Sequence, residues 1–407
     1  MRRVVVIGAG AAGSMAAIFA ATGGARTVLL ERTRDGGRKI LISGGGRCNV
    51  LPAQLDESRF VTDSSSPTLG NIVRSWPLPE QIGFFEGELD LPLVEELESA
   101  KLFPASNKAR DVRDRLLGLA AARGAEVRTG AQVTGLVPSE GRWRVEVLGA
   151  PPVIADAVVV ATGGYSVPNT GSDGTGLAIL QGLGHTIHPT YPALTPLVAE
   201  PAPFGTLSGV SLTVTITARA EQRSASATGG FLFTHHGYSG PAVLDVSHVA
   251  VRSLEEVGTP ARITVQWSKL DAVGGQAALN PEGARTVGRA LKDELPDRLV
   301  SILLLRAGVD AAQSLAQLKR EDRIRLVESL VRGVLPWTGH EGYKKAEVTG
   351  GGVSLAEIDP KTMESRVHPG LFICGEALDA FGPIGGYNFL WAWVTGRAAG
   401  RGVTAPR

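Results

Sequence analysis

The sequence predicts an α/β chain: a parallel sheet drawn from both ends of the sequence, interrupted by an antiparallel β region and a small helical piece. Three observations predict it. Residues 4–31 read as strand, glycine turn, helix and strand. Two further apolar runs, at 157–160 and 371–374, stop in glycine as parallel strands of such a sheet do. Between them, near Pro189, the hydrophobic period changes to 2, and after Pro281 it becomes helical.

The opening stretch is VVVIGAGAAGSMAAIFAATGGARTVLLE. Val4 to Ile7 is apolar throughout, as a strand covered on both faces must be. Gly8, Gly10 and Gly13 fall on the G-x-G-x-x-G spacing. An Ala-rich run, 11–21, favours helix and stops at Gly23-Gly24. A second strand, 27–30, ends on Glu31. This is the full context of a Rossmann-like dinucleotide site. Gly8 makes the turn off the strand, Gly10 lets a pyrophosphate approach the backbone, and Gly13 lets helix and sheet pack closely. The helix N-terminus favours the anion. Glu31 can accept two hydroxyl hydrogen bonds from an adenosine ribose. It would repel a 2′-phosphate in spite of Arg32, so the site suits FAD or NAD better than NADP.

Composition narrows the rest. A chain of 407 residues predicts two or three domains. Net charge is +1, so nothing points to a polyanion partner. The two cysteines, Cys48 and Cys374, lie far apart and form no disulfide framework, which suits a reducing cytoplasm. No run approaches the roughly 18 apolar residues of a membrane span.

In chain order, GGRKILISGGGRCN (36–49) follows. Gly44, Gly45 and Gly46 allow the backbone to lie flat against a planar ligand. Arg38, Lys39 and Arg47 offer donors to phosphates or ring carbonyls. Cys48 has no second cysteine through Leu55, so the dithiol exchange of glutathione-reductase-like enzymes is not expected. A small residue packed beside a cofactor, with Asn49 next to it, is the reading preferred to a nucleophile. Residues 51–100 are poorly patterned, with a loop at Asp63–Pro67 and an acidic, solvated face from Glu86 to Glu98. A helix is expected over 111–123, then three short strands within 125–147, with the Val133 backbone beside the adenine. The strand 157–160 puts Thr162 and Gly163 at the cofactor's edge. A helix over 177–183 is capped by Ser172 or Asp173.

The expected domains are a nucleotide-binding one from 1–190 and 345–407, an inserted antiparallel one from 191–280, and a helical cap from 281–344. His235 and His236 lie in the insertion. No further ligand stands at metal spacing, so no metal is expected. A turn histidine with satisfied hydrogen bonds explains them better than catalysis does. Near the C-terminus, Gly375, Glu376 and Asp379 follow a strand end, where a carboxylate suits a flavin's ribityl hydroxyls. Gly386 then leads through Asn388 and Phe389 into a helix whose positive end would stabilise a reduced flavin.

GAGAAG, GRKILISGGGRCNV, LFPASNKARDV, YPALTPL, FLFTHHGYSGPAVL, EVTGGGVSLAEIDPKTMES and GEALDAFGPIGGYNFLWAWVTG span residues 4 to about 400. Together they resemble the FAD-dependent flavoproteins of the bile-acid Δ4,6-reductase-like or aminoacetone-oxidase-like group, in the two-dinucleotide-binding-domain superfamily. The resemblance implies a discontinuous FAD domain interrupted by a β-barrel-like domain. It also implies FAD contacts at Ala12, Glu31, Arg38, Lys39, Val133, Glu376 and Asn388. Leu51-Pro52 stands where that group usually has Thr-Asn. The expected function is hydride transfer between bound FAD and a small organic substrate, in a cleft between the FAD domain and the insertion. No second fingerprint follows residue 60, so NAD(P)H would act as a transient reductant. An oxygen-using amine oxidase or monooxygenase is the first alternative, and a non-catalytic FAD-binding sensor the second. Neither nucleic acid nor membrane is an expected partner. His235, His236 and Cys48 are the only candidates named for catalysis.

Overall fold

The computed structural model describes residues 1–256 and 259–406. They form two units, 1–192 with 347–407, and 193–346.

The first unit is organised by a five-stranded parallel sheet. Its order across the sheet is Leu371–Ile373, Ala157–Val160, Arg3–Ile7, Arg26–Glu31 and Glu126–Thr129. Val4, Val5, Val158, Val159 and Phe372 have no solvent exposure, which explains the unbroken apolar runs. The first helix, Ala11–Thr22, lies against the C-terminal helix, Tyr387–Gly402. Small residues make that approach possible. A Cβ on Gly396 would run into the Ala12 carbonyl, and one on Gly400 into that of Ala16. Two buried tryptophans in the same helix place their indole N–H groups on backbone. Trp391 donates to the Gly375 carbonyl at 3.1 Å and Trp393 to that of Val50 at 2.9 Å.

Several elements differ from expectation, each for a local reason. Only one strand of residues 125–147 is as short as expected, and it joins the parallel sheet. The other two begin a three-stranded meander, 133–139, 142–147 and 150–155. Asp63–Pro67 is not all loop: Ser65 caps a helix, Ser66–Arg74, with Pro67 in its first turn. The helix expected from 177 begins at Thr175 behind Gly174, which has φ 81°, so neither Ser172 nor Asp173 is its cap residue. Asp173 still accepts from the Thr175 N–H at 3.2 Å.

The second unit holds a seven-stranded antiparallel sheet, ordered 333–334, 262–266, 211–219, 224–233, 237–239, 197–198 and 339–340. A helix, Pro241–Glu256, interrupts what the sequence suggested was continuous sheet. It buries Val243, Val246, Val249 and Ala250 at helical spacing, but the β-branched valines masked that period. No boundary near 280 separates sheet from helices. Ile216, Phe231 and Trp267 share one core with Leu291, Leu299, Leu326 and Leu330.

Candidate functional site

The glycine turn after the first strand is shaped by its own backbone. Gly8 has φ 99°, and a Cβ there would stand 2.6 Å from the Ala161 carbonyl oxygen. A Cβ on Gly13 would overlap the Gly8 carbonyl. Gly10 is different. Its φ of −80° suits any residue, and a Cβ there meets no atom within 4 Å. The space in front of Gly10, at the head of the first helix, is therefore open. Ala12 is buried and faces Gly375, whose Cβ would come within 2.8 Å of Ala12 Cβ.

Glu31 is 7% exposed. Its Oε2 accepts the Ala9 N–H at 2.8 Å, and its Oε1 accepts both the N–H and the hydroxyl of Thr33. Arg32 pairs with Asp173 at 2.5 Å rather than standing free for a phosphate. The Val133 side chain is buried at the start of the meander, reached from Glu31 through the Ala131 N–H, which donates to the Glu31 carbonyl.

The second glycine stretch begins with a short helix, Arg38–Ile42. Arg38 pairs with exposed Asp35 at 2.7 Å, and that hydrogen bond holds the Asp35 carboxyl below its usual range. Lys39 turns inward and donates to Ser166 Oγ at 2.7 Å and to Glu376 Oε2 at 2.6 Å. Gly44, Gly45 and Gly46 have φ of 54°, 67° and 85°, a turn open only to glycine at low cost. Asn49 borders it, its N–H 3.2 Å from a Cβ on Gly44. Arg47 lies over the Phe103 ring at 4.1 Å and pairs with Glu96. Cys48 has no solvent exposure, and burial pushes its thiol up to about 12, against the Ser43 hydroxyl that pulls it down. Such a thiol does not act as a nucleophile at neutral pH.

Glu376 gathers three other segments, at Lys39, Ser166 and Thr349. Its Oε1 accepts from Ser166 Oγ at 2.6 Å, from the Thr349 N–H at 3.0 Å and from Thr349 Oγ1 at 2.9 Å. Burial alone pushes its carboxyl up, but the Lys39 ammonium and these hydroxyls outweigh it and hold the group below the usual glutamate range. Asp379 is 2% exposed. Its Oδ2 accepts from Thr62 Oγ1, the Asp63 and Ser64 N–H groups and Ser64 Oγ, all within 3.0 Å. Thr162 and Gly163 border the end of strand 157–160. The Thr162 carbonyl takes the Ser172 hydroxyl at 3.4 Å, and Gly163 has φ 75°.

Gly386 opens the C-terminal helix with φ 92°, and its missing Cβ leaves room for the Leu51–Pro52 peptide. Asn388 closes the preceding turn on both sides, accepting the Gly382 N–H and donating to the Gly382 carbonyl at 2.9 Å each. Phe389 stacks on Trp393 at 5.4 Å. His235 and His236 are exposed on the turn between strands 224–233 and 237–239 of the second unit. Among the described residues no group of three or more His, Cys, Asp or Glu side chains could hold a metal. No described helix is long and apolar enough to cross a membrane.

The sequence reading overlooked the hydroxyls. Thr33, Ser166 and Thr349 each complete a carboxylate's hydrogen bonds. The available signal was their place, within a few residues of a glycine turn or strand end.

A family model for the HI0933-like protein Rossmann domain matches residues 2–402. The chain belongs to that family. A 3-dehydro-bile acid delta(4,6)-reductase of Clostridium scindens is 31% identical over 98% of both chains. A ribosomal RNA dihydrouridine synthase of Escherichia coli is 31% identical over 99% of this chain and 98% of its own. Among solved structures, a 3-ketosteroid-delta4-(5alpha)-dehydrogenase from Rhodococcus jostii shares the fold, with a TM-score of 0.52 and 16% identity, covering 100% of this chain and 97% of its own. The chain is an FAD-dependent oxidoreductase. Its residues fit that cofactor: the head of the first helix is open at Gly10, and Glu31 stands at the end of the second strand.

Proposed function

We propose that the protein saturates a carbon–carbon double bond conjugated to a carbonyl, using NAD(P)H as a transient reductant. Bound FAD supplies hydride acceptance and donation. The supporting observation is chemical. Two relatives aligned over nearly the whole chain bear the names of a bile-acid delta(4,6)-reductase and a dihydrouridine synthase. Both names describe adding hydrogen across an alkene polarised by a carbonyl.

The first unit's residues have definable parts in this reading. Gly8, Gly10 and Gly13 with the helix N-terminus hold the diphosphate, and Glu31 holds the ribose. The Lys39–Glu376–Ser166–Thr349 network and the helix start at Gly386, Asn388 and Phe389 border the ring and ribityl end. Lys39 Nζ is held in that network by Ser166 and Glu376, on the side where electron density grows on reduction. Gly44–Gly46, Arg47, Asn49, Val133, Thr162, Gly163, Gly375 and Asp379 shape the surrounding walls.

A small substrate is favoured over RNA by the near-zero net charge of +1, since RNA-binding surfaces are basic. The test is anaerobic. NADH or NADPH should bleach the flavin, and a 3-keto-4-ene steroid should restore its colour faster than unmodified ribosomal RNA does. Restoration by RNA alone would transfer the reading to a nucleic-acid substrate. Restoration only by dioxygen, with an amine as reductant, would replace it with an oxidase.

A further inference from the structure

The Glu31 carboxylate is nearly saturated by the protein itself, and one residue, Thr33, supplies two of its three hydrogen bonds. A carboxylate offers about four lone-pair positions. Thr33 fills both on Oε1, with its N–H at 2.7 Å and its hydroxyl at 2.6 Å. The Ala9 N–H fills one on Oε2 at 2.8 Å. One position on Oε2 is left. Thr33 is anchored in turn: its hydroxyl accepts the Gly36 N–H at 3.2 Å, and its carbonyl accepts the Gly130 N–H at 2.9 Å. Ala9 is pinned on its other side as well, its carbonyl taking the Gly37 N–H at 2.9 Å. The loop 33–37 therefore fixes both Glu31 and the middle of the glycine turn.

We propose that Thr33 is the positioning residue for adenosine recognition. By occupying Oε1 it fixes the carboxylate rotamer, turns Oε2 toward the glycine turn, and leaves Glu31 one position to accept a ribose hydroxyl rather than two. This inference rests on the dinucleotide site alone and stands apart from the proposed alkene reduction.

The test measures binding of ADP, 2′-deoxy-ADP and 3′-deoxy-ADP to the flavin-stripped full chain by calorimetry. The variants are Thr33→Val, which keeps the shape and loses the hydroxyl, and Thr33→Ser, which restores it. A hydrogen bond to a charged group predicts that the wild type binds ADP about 10- to 100-fold tighter than one deoxy analogue and equally with the other. In Thr33→Val that ratio should collapse toward one while the affinity for the rejected analogue stays unchanged. Thr33→Ser should recover the ratio. Equal rejection of both analogues by the wild type would overturn the single-bond geometry. A Thr33→Val protein that keeps the wild-type ratio, or that weakens all three ligands alike, would overturn the positioning role.

Discussion

Replacing Gly10 by valine separates the cofactor from the fold. A Cβ at Gly10 meets no protein atom within 4 Å, and the backbone there, φ −80° and ψ −166°, is open to any residue. The folded apoprotein therefore loses only the difference between Gly and Val at a helix N-cap, about 1 kcal/mol. In a unit of this size that lowers Tm by about 2–4 °C. The ligand loses far more, because the valine side chain fills the open space at the helix head. Two charge-assisted backbone bonds to phosphate contribute about 3–6 kcal/mol, or about 10²- to 10⁴-fold in Kd. Gly13→Val is the contrast, because its Cβ overlaps the Gly8 carbonyl and the turn itself must break. The assays are flavin content by absorbance after purification, FAD titration of stripped protein, and melting by circular dichroism. Gly10→Val should be colourless with a near-normal melt, and Gly13→Val should be poorly folded. A Gly10→Val protein that retains FAD within a few-fold of wild type would refute the placement of the diphosphate.

Other expectations follow from single groups. Cys48 and Cys374 are both fully buried and burial pushes both thiols up, so native protein should give no reaction with a thiol reagent at pH 8 and two equivalents after denaturation. A fast native thiol would contradict this burial. Glu376 is held low in the folded state, so it takes up its proton later than it does in the unfolded chain. Its stabilisation is complete above the ordinary value of 4.5 and is lost as pH falls below it. Urea midpoints of wild type should drop in that window, and those of Glu376→Gln should stay flatter. Asn388→Ala strips both partners from the buried Gly382 peptide groups and should cost about 1–3 kcal/mol, seen as a lower urea midpoint.

The parallel sheet was legible because nearly every one of its strands carries an unbroken apolar run that no exposed element would keep, as Val4–Ile7 and Ala157–Val160 do. The fingerprint glycines were legible because their spacing falls between an apolar strand and an Ala-rich helix. Elements whose period competes with composition were not. The helix Pro241–Glu256 is rich in valine, and Ser66–Arg74 begins inside a Ser-rich run that also reads as loop. The tight crossing of the first and last helices depended on Gly396 and Gly400, which look like helix breakers until a facing backbone is placed against them.

Sequence points to the acids of the candidate site without telling what each one holds, and the reason is physical. A glycine-rich cradle has high conformational freedom, so something must hold its N–H groups in place. Carboxylates at strand ends are the groups best able to accept them, and the same carboxylates are best able to accept a ligand's hydroxyls. Sequence cannot tell the two uses apart, because both call for an acid at the same position. The protein donors that each oxygen already accepts show what it holds. Asp379 Oδ2 already takes four donors, and Glu376 Oε1 takes three. Glu31 Oε2 takes one. Glu31 keeps one position on Oε2, the oxygen that already takes the Ala9 N–H of the glycine turn. Glu376 acts chiefly by holding Lys39 in place, and Asp379 by holding the 62–64 turn.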